Sequence, residues 1–271
     1  MAQALQVDLE TTYNQWRRAM MAGDFKGWQA ATATSRQHLT RNLIVSQKKL
    51  FPKALFDLPM DPPALVTLRM LQAKQKGPTA RSVYYGRVDF GIGANKAPEN
   101  LLILKFIKER GGWKFDTSSF MRLDGTPEIR QQARTGNLKF LKEPPFQPSG
   151  RLRPIPKPCP VPDYVADLHI VSLGYDSEIE LNGYRYPVYH NVNTEIAIGG
   201  LKKGLNPISM KMKPTKLMAG EKRIFKVSVH VKTGKKRNPA IKVFEYNPTE
   251  VPPSFSSAVK ADKTTIKGRV R

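Results

Sequence analysis

Residues 101–123 read LLILKFIKERGGWKFDTSSFMRL, two apolar runs on either side of Glu109-Arg110-Gly111-Gly112. A glycine pair accepts positive φ without steric cost, so the stretch predicts a hairpin. In the first run Leu102, Leu104 and Phe106 share one face, and Leu101, Ile103 and Ile107 share the other. A strand apolar on both faces is covered on both faces. A central hairpin with something packed on each side is therefore expected. In the second run Trp113, Phe115 and Met121 are expected on one face, with Lys114, Asp116 and Arg122 opposite.

Upstream the apolar period is helical. Leu9, Tyr13, Trp16 and Met20 recur at spacings of four, three and four, which predicts an amphipathic helix from Val7 to Ala22. Gly23 ends it, and Asp24 caps a second helix carrying Phe25, Trp28 and Ala31. A third helix after Ser35 would turn Leu39, Leu43 and Leu50 inward. Asp61-Pro62-Pro63 reads as the start of a fourth, with Leu65, Leu68 and Leu71 as its stripe and Gly77-Pro78 as its end. From Arg81 the period becomes two: Tyr84, Val88 and Phe90 alternate with Tyr85, Arg87 and Asp89.

Helices followed by a curved antiparallel sheet make an α+β layout. The Gly23-Asp24-Phe25 junction between two helices and the Gly-Gly-Trp-Lys-Phe-Asp strand, Gly111 to Asp116, resemble the nuclear transport factor 2-like cone domain over residues 6–123. The resemblance implies a cone of helices on a curved sheet, with a pocket at its mouth. It also implies an outer sheet face that pairs with a partner or a second copy of the chain, which suits Leu101, Ile103 and Ile107. Relatives with isomerase activity place a carboxylate base and a tyrosine donor inside the cone. The residues that could approach such a pocket here are Tyr13, Trp16, Tyr84, Asp89 and Asp116. None aligns with that arrangement, so none inherits a role. Asp89 and Asp116 lie opposite the mainly apolar faces of their strands, which points them to solvent.

The cone is assigned to residues 1–125. Thr126-Pro127-Glu128 starts a short helix ending near Gly136. Residues 143–162 carry eight prolines together with Arg151, Arg153 and Lys157. Residues 126–162 are therefore read as a short helix and a basic, semi-rigid linker. Cys159, in Pro158-Cys159-Pro160, is expected to be exposed. As the sole cysteine it excludes an intrachain disulfide. From Asp163 the pattern is strand throughout. Glu178-Ile179-Glu180-Leu181, then Asn182-Gly183, then Tyr184-Arg185-Tyr186 is the strongest hairpin signal. Phe225, Val227, Val229 and Val231 face one way, with Lys226, Ser228, His230 and Lys232 facing the other. Short strands between regular turns predict an all-β sandwich over residues 163–250. It is loosely similar to accessory immunoglobulin-like or jelly-roll modules of surface proteins. Residues 251–271 read as a flexible basic tail.

The 271 residues carry a net charge of +23, with a pI near 10.1. Such a surface attracts polyanions, although a high charge also serves solubility alone. Residues 1–125 hold nineteen basic and ten acidic side chains, residues 126–162 seven and two, and residues 163–271 nineteen and ten. The last segment is polarised. Residues 163–201 carry one base and six acids, whereas residues 202–237 carry twelve bases and a single acid, Glu221. Lys202, Lys203, Lys211, Lys213, Lys216, Lys235, Lys236 and Arg237 could form a basic edge that docks a polyanion. An alternative is a solvated lysine edge that blocks strand pairing.

No phosphate loop, nucleotide fingerprint or nucleophile elbow is present; Gly91-Ile92-Gly93 lacks a third glycine. His38, His169, His190 and His230 are scattered and read as surface residues rather than metal ligands. No cofactor and no metal are expected. No apolar run is long enough to span a bilayer. Met-Ala-Gln-Ala at the start suits a mature, processed N-terminus, hence a secreted or periplasmic protein; an intact cytosolic N-terminus explains it equally well. The expected function is a non-enzymatic binding or structural protein of a bacterial envelope or exterior, acting on an anionic glycan or a protein partner. A small-molecule binder or enzyme using the cone pocket is the alternative, and a nucleic-acid binder the third reading.

Overall fold

The computed structural model describes residues 2–57, 60–89, 97–217, 220–235 and 238–263. Phe90, Gly91 to Gly93, Lys236, Arg237 and the last part of the expected tail lie outside the described residues. The fold is α+β: helices followed by antiparallel sheets of four strands each. The chain gathers into two compact units, residues 1–40 with 52–157, and residues 41–51 with 158–271. Among the described residues, no helix is long and apolar enough to cross a membrane.

In the first unit, α1 (Ala2–Ala22) precedes α2 (Phe25–Ala31) and the start of α3 (Thr34–Ser46). Leu9, Tyr13 and Met20 of α1 are buried along the predicted stripe. Asp24 caps α2, its carboxylate accepting from the Gly27 N–H at 3.0 Å. The sheet runs β1-β2-β3-β4, made of Arg69–Lys76, Thr79–Arg87, Glu99–Glu109 and Gly112–Arg122. The turn at Glu109 to Gly112 is as expected, with Gly111 and Gly112 at positive φ.

The helix expected over residues 61–77 is replaced by an irregular segment and strand β1, whose partner is β2. The Tyr13 hydroxyl and the Arg17 guanidinium donate to the carbonyls of Pro63 and Pro62, at 2.8 and 2.7 Å, so this backbone is tied outside any helix. Leu50, expected inward on α3, lies beyond its end and is 74% exposed.

Strand β3 is buried on both faces. Leu102, Leu104 and Phe106 join Leu9, Tyr13 and Tyr84 in one core. Leu101 and Ile103 join a second core with Phe140, Leu141 and Phe146. Those last three residues come from 3₁₀ turns at Lys139–Lys142 and Pro144–Phe146, after α4 (Pro127–Thr135). The short helix expected after residue 125 is α4, and the expected spacer from residue 143 begins as packed cover, with Phe146 in this core. Its side chains cover Leu101 and Ile103 on the outer face of the sheet.

The second correction concerns β4. Its register with β3 slips between Lys105 and Phe106, which pair with Thr117 and Phe115 and leave Asp116 as an extra residue. A bulge shifts the alternation by one place. Trp113 and Phe115 therefore pack in the first core and Met121 in the second, not on one shared face.

In the second unit the strands are β5 (Ala166–Leu173), β6 (Tyr175–Leu181), β7 (Tyr184–Arg185), β8 (Val192–Ile196), β9 (Gly204–Pro214), β10 (Ile224–Lys235), β11 (Asn238–Tyr246) and β12 (Ser254–Ala261). They form two sheets, ordered β11-β10-β5-β8 and β12-β9-β6-β7. Both sheets contribute to one core, including Leu168, Ile170, Ile179, Ile208, Met210, Val227 and Val229. Asn182 and Gly183 both have positive φ, as the two-residue turn requires. Residues 254–261, expected to be tail, pair with β9. The second half of α3 also belongs here. The Asn42 side-chain oxygen accepts from the Cys159 N–H at 2.9 Å, and the Ser46 hydroxyl accepts from the Gly199 N–H at 2.7 Å. Cys159 is consequently half-buried rather than exposed.

Candidate functional site

Three of the four pocket candidates come together, and they fill the interior. Tyr13, Trp16 and Phe115 pack with ring centroids 4.2–5.5 Å apart, and Phe106 lies 5.9 Å from Phe115. Burial pushes the Tyr13 phenol well above its usual range, with Arg17 opposing the shift. Tyr84 is raised in the same way by burial, and its hydroxyl donates to Glu10 Oε1 at 3.3 Å. Beside this cluster opens a groove of about 460 Å³, lined by Glu10, Asn14, Arg17, Ala64, Leu65 and Val66. Periodicity alone missed Glu10, Asn14 and Arg17; their spacing of four and three on α1 was the available signal.

Asp116 is elsewhere. As the extra residue of the β4 bulge it meets Arg36 of α3, with Nε 3.4 Å from its carboxylate, and it is buried. Near it stands Lys105, the single charge in the apolar run of β3. Burial pushes the Lys105 ammonium below its usual pKa; Arg81 and Arg153 add to that, Asp116 opposes it, and Arg36 adds again.

The lysines of the second unit do not share an edge. Strand β9 lies between β12 and β6, and β10 between β11 and β5. Lys211 and Lys213 are exposed on β9, directly opposite Glu178 and Asp176 of β6. Lys202 and Lys203 precede β9, and the Lys203 backbone N–H donates to Asp163 at 2.8 Å. Lys216 lies past the end of β9, and Lys235 ends β10. Elsewhere Lys232 pairs with Asp167 at 3.1 Å. Hydrogen bonds from Lys226 and Lys242 lower the Glu245 carboxyl to about 2. The acidic and basic blocks of sequence thus meet across paired strands.

Sequence spacing also hid a histidine pair. His169 of β5 and His230 of β10 have ring centroids 4.3 Å apart, and His230 Nε2 lies 3.0 Å from the Ser228 hydroxyl. Among the described residues, no group of three or more His, Cys, Asp or Glu side chains is placed to hold a metal. No protein family, curated protein or solved structure matches this chain.

Proposed function

We propose that this chain is a non-enzymatic binding or structural protein of a bacterial envelope or exterior, acting through its surfaces on an anionic glycan or an acidic protein partner. In this reading the first unit is a cone of the nuclear transport factor 2-like kind. The second is a β-sandwich of immunoglobulin-like or jelly-roll type. The observation that carries the proposal is uncancelled charge in the first unit. Residues 1–40 and 52–157 hold twenty-three bases against twelve acids. Ion pairs in that unit join Arg36 to Asp116, Arg122 to Asp124 and Arg134 to Glu99. A surplus of this kind attracts a polyanion and gains from counterion release. The test is binding to a sulfated polysaccharide against a neutral one. Affinity should fall as a power of salt concentration, and affinity indifferent to salt overturns the proposal.

A second reading uses the groove on α1, where Glu10, Asn14 and Arg17 present polar groups to about 460 Å³ of space. Such a space suits a small polar molecule. A thermal-shift screen of small polar compounds should find stabilisers that Glu10→Gln abolishes. A nucleic-acid binder is the third reading, and a filter assay with single and double strands decides it.

A further inference from the structure

On the outer face of the first sheet, three cations stand side by side on adjacent strands. Lys74 of β1 is the direct partner of Arg81 on β2, and Arg81 is the direct partner of Lys105 on β3. Arg81 and Lys105 share the alternation of Val83 and Ile103, whose side chains lie in the core beneath α4 and its following turns. Directly opposed residues sit with Cβ atoms about 5 Å apart, and like charges so placed repel. The row therefore carries a built-in electrostatic cost.

Two members are held in place by neutral oxygens. The Lys74 ammonium donates to Gln147 Oε1 at 2.5 Å, and Arg81 Nη1 donates to the carbonyls of Pro144 and Pro145. Lys105 is half-buried at the centre of the sheet, its backbone paired on both sides, and among the described residues no side-chain hydrogen bond or ion pair holds its ammonium. An ammonium with three donors, partly removed from water, is costly without an acceptor. Arg36 and Arg153 add positive charge around it, and Asp116, already paired with Arg36, is the carboxylate that offsets them.

We propose that Arg36, Lys74, Arg81, Lys105 and Arg153 form a binding site for a doubly charged tetrahedral oxyanion, a phosphate or sulfate group, with Lys105 as its central donor. Several convergent cations against one carboxylate match two negative charges better than one. Three strands span about 10 Å, room for one such group rather than for a polymer track. Arg81, pre-positioned by prolyl carbonyls, presents a planar fork, and Lys105 presents a point charge; together they suit an anion with several oxygens. An oxyanion here would supply the acceptors that Lys105 lacks and remove the repulsion along the row.

The inference deepens the anionic-partner reading and rests on it only for where such a group comes from. Inorganic phosphate and sulfate are titrated separately into the full chain by calorimetry, at ionic strength held constant with chloride. One saturable site is expected for at least one of them. Lys105→Gln should weaken it tenfold or more, and Lys49→Gln, which removes an exposed charge in the second unit, should leave it unchanged. Asp116→Asn should tighten it. The Lys105→Gln protein should be at least as heat-stable as the parent without the anion, because the row's repulsion is relieved. No saturable heat with either anion, or equal losses from the Lys105 and Lys49 variants, overturns the proposal. Retention on the sulfated polysaccharide is scored apart. If retention is absent while phosphate or sulfate binds, the polymer reading fails and the site stands; the converse result removes the site alone.

Discussion

Asn42 shows how one side chain can hold distant chain together. It is fully buried, and its oxygen accepts from both the Cys159 backbone and the Arg41 guanidinium. Replacing it with alanine takes the acceptor from the half-buried Cys159 N–H. Asn42→Ala should cost about 1–3 kcal/mol in urea unfolding of the full chain. Gly200 and Gly183 offer a matched pair. Both have positive φ, but a Cβ at Gly200 would lie 2.4 Å from the Tyr164 carbonyl oxygen, whereas one at Gly183 meets nothing within 4 Å. Gly183→Ala should cost about 1 kcal/mol from backbone strain alone. Gly200→Ala should cost clearly more by the same assay, because its clash is with backbone that cannot swing away.

Among the elements, the cover over the outer sheet face is the most exposed to test. Phe146 is 2% exposed and packs edge-on to Phe140 at 5.3 Å. Phe146→Ala should cost about 3–5 kcal/mol, while Leu50→Ala, at 74% exposure, should change stability by less than about 0.5 kcal/mol. The paired strands β5 and β10 give a pH prediction. His230 is held below its ordinary pKa by burial first, then by His169 and Lys242, against the opposing charges of Asp167 and Glu245. Ser228 and Lys232 lie beside it on β10. A histidine with a depressed folded pKa takes up its proton more readily when unfolded. Stability should therefore fall as the pH drops below the usual histidine value, and be restored as it rises. In thermal melts between pH 7.5 and 5.5, His230→Gln should lose less of its midpoint than the parent does.

For the molecule as a whole, the second unit begins before the first is complete. Residues 41–51 belong with residues 158–271, and Leu43 packs against their core. A fragment of residues 158–271 lacks Leu43, Asn42 and Ser46. It should unfold at lower urea than the corresponding transition of the full chain, and adding a peptide of residues 38–51 should raise its midpoint. The surplus charge acts over the same range. With +23 net charge, self-repulsion is screened as the Debye length shrinks, so the melting midpoint should rise between 10 and 150 mM NaCl.

Features carried by neighbours in sequence were readable in advance. The Gly111-Gly112 turn, the Leu9-Tyr13-Met20 stripe, the Asp24 cap and the Asn182-Gly183 turn each depend on a few adjacent residues, on period and on allowed φ. What failed depended on partners far along the chain. Leu65 to Lys76 has helical spacing, but the segment is held by Tyr13, Arg17 and strand β2. The bulge at Asp116, and with it the sorting of Trp113 and Met121 to different faces, exists only in the pairing of β4 with β3. The acidic and basic blocks face each other because strand order sets β6 beside β9, a fact no charge count contains. Lys105 is the single charge within the run Leu101 to Ile107, yet its cationic neighbours come from β2, α3 and Arg153. Local propensities are worth tenths of a kcal/mol per residue, and burial across the chain outweighs them wherever the two disagree.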